Sequence, residues 1–209
     1  MRKKTGNKLH TWEAALLLAV AAALLWGACT LQRQDALEQK VIRLHVIANS
    51  DSEADQALKL RVRDRVLVLA EDILRQSGDM EEARQRLAEA LPRLQQTAAE
   101  EIAAQGSRYT VSAGLEETEF PTREYDGFAL PSGEYLALRV VIGEGAGKNW
   151  WCVVFPPLCT TAAADVPAAA LSAGLSEGEV ALITEADEGY VLKFKTVELW
   201  EKLKARLAE

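Results

Sequence analysis

The sequence predicts an α+β fold, a mainly antiparallel sheet carrying a packed helical pair, preceded by an N-terminal signal or transmembrane helix. Three observations lead there. Residues 41–48 alternate, with Ile42, Leu44, Val46 and Ala48 on one face, as a half-buried strand does. Leu58, Val62, Val66, Leu69 and Ile73 then recur at helical spacing, and Leu87, Leu91, Leu94, Ala98 and Ile102 do so again after a break at Gly78. Residues 134–142 return to alternation. A chain of 209 residues, 49% hydrophobic and 26% charged, has material for one sizeable core plus an appendage, and wholesale disorder is excluded.

Charge is unevenly spread. Residues 1–28 carry +3 (Arg2, Lys3, Lys4 and Lys8 against Glu13), which leaves −10 for the remainder of a chain of formal net charge −7. An acidic body is a poor partner for nucleic acid, whose affinity rests on cations neutralising phosphates. The four cations precede an uncharged run over residues 14–32, which reads as an export signal. That run also reaches the roughly 20 residues a membrane-crossing helix needs. Residues 1–32 are therefore either a signal peptide or a retained anchor through residues 12–32, with the body outside the cytoplasm. Gly27-Ala28-Cys29 further hints at a lipidated cysteine, although Trp26 stands where that pattern prefers an aliphatic residue. Residues 33–40 are polar and read as a tether to an α+β body over residues 41–159.

Within the body, Arg43 and His45 fall on the strand face opposite Ile42 and Leu44, where a lone histidine beside a cation reads as a surface or capping residue. Ser52 with Asp55, and Asp79 with Glu82, have capping spacing and place two helix starts. The first helix presents Lys59, Arg61, Arg63, Asp64 and Arg65 outwards, a solvated face or a partner-docking one. Pro92 kinks or restarts the second helix, and Gly106 ends it. A strand follows over residues 109–115, then a turn at Tyr125-Asp126-Gly127-Phe128. The glycines at 143, 145 and 147 lack dinucleotide-binding spacing and read as a hairpin joining two antiparallel strands. Residues 160–188, rich in Ala, Ser, Gly and Thr, read as a low-complexity linker. Residues 189–209 read as a strand and helix docking back on the body.

The run Asn149-Trp150-Trp151-Cys152-Val153-Val154-Phe155-Pro156-Pro157-Leu158-Cys159 concentrates two of five tryptophans and two of three cysteines. It reads as a strand stopped by a rigid Pro-Pro turn. Cys152 and Cys159 form a disulfide in an exported body, or are two small buried apolar residues. Val153 and Phe155 are expected inside, with Trp150, Trp151, Pro156 and Pro157 available to a partner.

No enzyme constellation emerges. Cys152 and Cys159 have only His45 as an imidazole base, the soft ligands are too few for zinc, and Asp51 and Asp55 lie where helix-capping acids belong. The chain reads as a non-enzyme without cofactor or metal. Two other classes remain: an exported thiol or cell-wall hydrolase using Cys152 or Cys159 with His45, and an envelope scaffold lipid-anchored at Cys29.

Several linked motifs now carry a resemblance. Val41-Ile42-Arg43-Leu44-His45-Val46-Ile47-Ala48-Asn49-Ser50-Asp51-Ser52, then Asp55-Gln56, Lys59 and Val62-Arg63-Asp64, resemble the N-terminal signature of the stage II sporulation protein R family. Phe120-Pro121-Thr122, Pro131-Ser132-Gly133-Glu134-Tyr135 and the run from Asn149 to Cys159 follow in the same order, and the resemblance covers roughly residues 41–159 and 189–205. It implies a sporulation signal exported into the intermembrane space between forespore and mother cell. There it activates the mother cell's membrane-embedded aspartic protease, which processes the sigma-E precursor. The family supplies no catalytic residues; Asn49, Asp51 and Arg63 join Trp150, Trp151, Pro156 and Pro157 as candidate partner contacts.

Overall fold

Residues 11–159 and 165–184 are described by a computed structural model. The chain divides into two units, residues 1–36 and 37–209. The first is helical from Thr11, where α1 (Thr11–Glu38) begins, and leaves Trp12, Leu16, Leu17, Leu18 and Val20 exposed. Among the described residues no helix is long and apolar enough to cross a membrane. The stretch expected as a tether is helical as far as Glu38, and Leu37 is fully buried.

The second unit is built on β1 (Ile42–Ile47), whose six residues are all buried. The polypeptide continues through α2 (Glu53–Leu74), α3 (Met80–Ala104), β2 (Val111–Phe120), β3 (Arg123–Tyr125), β4 (Phe128–Leu130), β5 (Gly133–Ile142) and β6 (Asn149–Phe155). Four strands form one sheet in the order β2-β5-β1-β6. The β2–β5 and β1–β6 pairs are antiparallel, so that class holds for most of the sheet, but the central β1–β5 pair is parallel. A parallel neighbour requires a long crossover, which the helices and the intervening strands supply.

Ser52 caps α2 by accepting from the Asp55 N–H at 3.1 Å, and Asp79 caps α3 by accepting from Glu82 N–H at 2.9 Å. Helix α3 runs through Pro92 without a restart; that residue is exposed, so its missing donor lies on the solvent side. The helical pair covers one sheet face, burying Leu58, Val62, Leu87, Leu94 and Ile102 against Ile42, Leu44, Val46, Leu138 and Val140.

The other face is covered too, which the half-buried reading of residues 41–48 missed. The β3–β4 hairpin and two short helices, α4 (Val166–Ser172) and α5 (Glu177–Thr184), bury Phe128, Leu130, Val166, Ala170, Val180 and Ile183 over Val41, Ala137 and Val153. These helices occupy part of the stretch expected as a linker. Asp165 caps α4, and Lys40 meets Glu179 at 2.8 Å. Their apolar positions are sparse and their periods short, so composition alone hides them. The strand and helix expected over residues 189–209 lie outside the described residues.

Residues 143–148 do not make a hairpin. Strands β5 and β6 flank β1 rather than each other, so the glycine segment passes over the end of β1.

Candidate functional site

The passage of that segment over β1 is held by a polar knot built from residues 49–59. Ala48 and Asn49 carbonyls accept the N–H groups of Gly147 (2.9 Å) and Ala146 (3.1 Å). Asn49 Oδ1 accepts from Glu144 N–H at 3.1 Å, and Asp51 Oδ1 from Lys148 N–H at 2.7 Å. Two glycines permit the approach. Gly143 adopts a φ of 58° against the Asn49 side chain, and a Cβ at Gly147 would collide with the Ser50 carbonyl.

Beneath the segment, Asp55 Oδ2 accepts from the Ser50 hydroxyl at 2.6 Å and the Asn49 amide at 2.9 Å. Those two bonds, the hydroxyl first, hold the Asp55 carboxyl below its ordinary range. The buried Lys59 ammonium donates to the Lys148 carbonyl at 2.9 Å and to Gln56 Oε1 at 2.7 Å. Burial, then the neighbouring Arg63 charge, pushes Lys59 downward. Asn49 and Asp51, expected as partner contacts, thus spend their side chains on this knot.

Past Lys148 the two tryptophans leave β6 on opposite faces. Trp150 is 37% exposed, and the Arg63 guanidinium lies 4.1 Å from its ring centroid. Trp151 is half-buried, with the Arg123 guanidinium 4.0 Å from its ring. Val153 and Phe155 point inwards, as does Pro156; Pro157 is half-buried in the wall of a recess of about 280 Å³ with Leu74, Ser77 and Ala173. Of the expected contacts, the structure gathers Trp150 and Arg63 into one cluster, in which Arg63 is half-buried and also meets Asp64 at 2.6 Å. Arg123 and Lys148 escaped sequence reasoning, although an arginine three residues after Phe120 and a lysine just before tandem aromatics were visible signals.

Arg43 and His45 are buried rather than exposed. Arg43 is fully buried and, among the described residues, forms no salt bridge: Nη2 donates to Tyr125 Oη at 2.7 Å, and the guanidinium lies 4.0 Å from the Phe120 ring and 4.9 Å from Tyr135. Among the described residues its Nε and Nη1 have no hydrogen-bond partner. Aromatic faces stand in for a counter-ion. His45 is 7% exposed, between Phe120 and Trp151, each ring 5.8 Å away. Burial lowers its pKa, against a raising influence from Asn149, whose side chain approaches without forming a well-shaped hydrogen bond.

Cys152 and Cys159 are bonded to each other, with Cα atoms 5.8 Å apart, and Cys159 Sγ accepts the Val153 N–H at 3.0 Å. Cys152 packs into the helix-side core, whereas His45 lies on the opposite sheet face. The thiol–imidazole pair that a hydrolase would need is therefore not brought together. Among the described residues no group of three or more His, Cys, Asp or Glu side chains could hold a metal ion.

A family model described as stage II sporulation protein R matches residues 38–165. The stage II sporulation protein R of Bacillus subtilis (strain 168) is 36% identical over 148 residues, which is 69% of this chain and 66% of that relative, so the match spans just under two thirds of the relative's length. No solved structure matches. The matched region holds the knot, both tryptophans and the disulfide, and leaves residues 189–205 of the sequence resemblance outside it. The chain belongs to the stage II sporulation protein R family.

Proposed function

We propose that this protein is an exported sporulation signal that activates a membrane-embedded aspartic protease, the one that processes the sigma-E precursor. The observation that carries this reading is the family match over residues 38–165. It is supported by the basic and then uncharged N-terminal sequence, which fits export into the space between forespore and mother cell. The disulfide suits an oxidising compartment. The separation of His45 from Cys152 fits an activator better than a thiol hydrolase.

Activation works by binding. A domain that prefers the active arrangement of the protease shifts its population by the difference in affinity, and about 5.5 kcal/mol of difference moves an equilibrium from 1:99 to 99:1. The folded unit, with Trp150 displayed at a sheet edge, supplies the contact. Co-expression of the protein, the protease and the precursor in a non-sporulating host tests the reading. Precursor cleavage above the level given by protease and precursor alone supports it, and cleavage no higher than that control removes it.

A further inference from the structure

Strand β6 forms one edge of the sheet, and among the described residues no strand pairs with its outer side. The Val153 N–H donates to Cys159 Sγ and so points away from β1. Alternation in an antiparallel ladder then turns the backbone groups of Trp151 and Asn149 outwards as well. The disulfide-closed turn covers this edge at Val153, while among the described residues the stretch ahead of it has no neighbouring strand. Open edges are templates for strand pairing, and native proteins ordinarily blunt or cover them.

Positive charge brackets the open stretch. Arg63 lies over Trp150 on the helix side, Arg123 lies over Trp151 on the opposite face, and the exposed Lys148 stands at the entrance. Beneath them Lys59 feels Arg63 and Lys148 in one direction and the Asp51 carboxylate in the other. Asp64 pairs with Arg63 at 2.6 Å and Asp51 accepts the Lys148 backbone N–H, so three cations stand here against two carboxylates on a chain of net charge −7. Trp150 adds a large exposed apolar surface beside it.

We propose that the β6 edge at Asn149–Trp151 receives an extended acidic segment of a partner protein, which adds to the sheet as a further strand. Its backbone pairs with the outward groups of Asn149 and Trp151, its carboxylates meet Arg63, Arg123 and Lys148, and an apolar side chain lies on Trp150. Backbone pairing favours an extended partner over a helix, and the charge favours an acidic one. This rests on the protease-activation reading: the partner is the extracytoplasmic part of the protease, and the structure adds where and by what chemistry it is held.

The test uses the full chain with protease and precursor in the co-expression host. The variants are the double reversal Arg63→Glu/Lys148→Glu, the edge block Trp151→Pro, and the control reversal Arg93→Glu on the exposed face of α3. The double reversal is expected to lower precursor cleavage at least tenfold with unchanged exported amount and unfolding midpoint, while Arg93→Glu matches the unsubstituted chain. A photo-crosslinking amino acid at position 150 is expected to capture an acidic stretch of the protease. A folded double-reversal variant that cleaves at the unsubstituted level overturns the site while leaving activation standing. So does crosslinking from position 150 into residues 190–195 of the same chain, or into a second copy. If the unsubstituted chain gives no cleavage, the activation reading fails and this site falls with it.

Discussion

The Nζ of Lys59, on α2, lies 2.9 Å from the carbonyl oxygen of Lys148, the residue just before β6. One buried ammonium thereby ties the helix-capping signature to the strand that carries the tryptophans, across 89 residues of sequence. The link explains why the motif around residues 49–63 and the run beginning at Asn149 occur together: the first is the seat on which the second is set.

Breaking that link has a measurable cost. Lys59→Met keeps the stem but leaves the Lys148 carbonyl without its charged donor, and a hydrogen bond to a charged group contributes about 1.5–3 kcal/mol. Chemical denaturation is expected to show a loss of about 2 kcal/mol. Stability equal to the unsubstituted protein would mean that the ammonium's burial cancels its bonds.

Glycine substitutions separate close approach from mere flexibility. At Gly147 an added Cβ meets the Ser50 backbone, which cannot swing aside, whereas at Gly178 in α5 it meets open space. Gly147→Ala is expected to cost about 2 kcal/mol or more through overpacking. Gly178→Ala is expected to be neutral or to stabilise by up to about 1 kcal/mol, since alanine is the better helix former. Equal effects at the two sites would contradict the docked crossover.

Arg43 offers a test of a buried cation held by aromatic rings and one hydroxyl. Replacing a buried charge with a well-packed apolar residue of similar length is often neutral or stabilising, whereas truncation opens a cavity. Arg43→Met should therefore leave the unfolding midpoint unchanged or raised, and Arg43→Ala should lower it by an amount corresponding to about 2–4 kcal/mol. A large loss with Met would show that the guanidinium itself is required.

The His45 imidazole gives the pH dependence a defined sign. Its folded pKa lies below 6.5, chiefly because burial disfavours the charged ring, so the folded state binds fewer protons than the unfolded one within that window. Stability is lost as the pH falls from 6.5 towards the depressed value. His45→Phe is expected to flatten unfolding free energy over that range, and an unchanged slope would contradict it. Asp55 acts lower on the scale: its carboxyl is held below 3.8, so its contribution is present above that pH and is lost on further acidification.

Much of this was legible in the sequence, for reasons that differ by element. The strand at residues 41–48, the two capped helices and the Asp126-Gly127 turn announce themselves through local period and local hydrogen bonds. Burial of Arg43 and His45 was not legible, because it depends on what covers the second sheet face. That cover is Phe120, the β3–β4 hairpin and helices α4 and α5, none of which advertises a partner. The parallel β1–β5 pairing was hidden likewise: glycines at 143, 145 and 147 suit a hairpin as well as a crossover, and only Asn49 and Ser50 beneath them decide. Trp150 and Arg63 were each singled out as contacts, but their 4.1 Å stack is a tertiary fact.

The disulfide closes a short loop, its cysteines seven residues apart. Chain-entropy reasoning for a loop of that size gives about 2.5 kcal/mol. Cys152→Ala/Cys159→Ala is expected to lose about that much, and the purified unsubstituted protein should show no free thiol at either position by alkylation and mass spectrometry. Alkylation of both without prior reduction would contradict the bond.

Activation from outside the cytoplasm is tested most directly by comparing two full-length chains in the host that carries protease and precursor. One is unsubstituted; the other carries Leu17→Arg and Leu24→Arg, which interrupt the uncharged run and so block export. Precursor cleavage is expected with the first and not with the second, at equal amounts of folded protein. Equal cleavage with the chain retained in the cytoplasm would contradict the exported-activator reading.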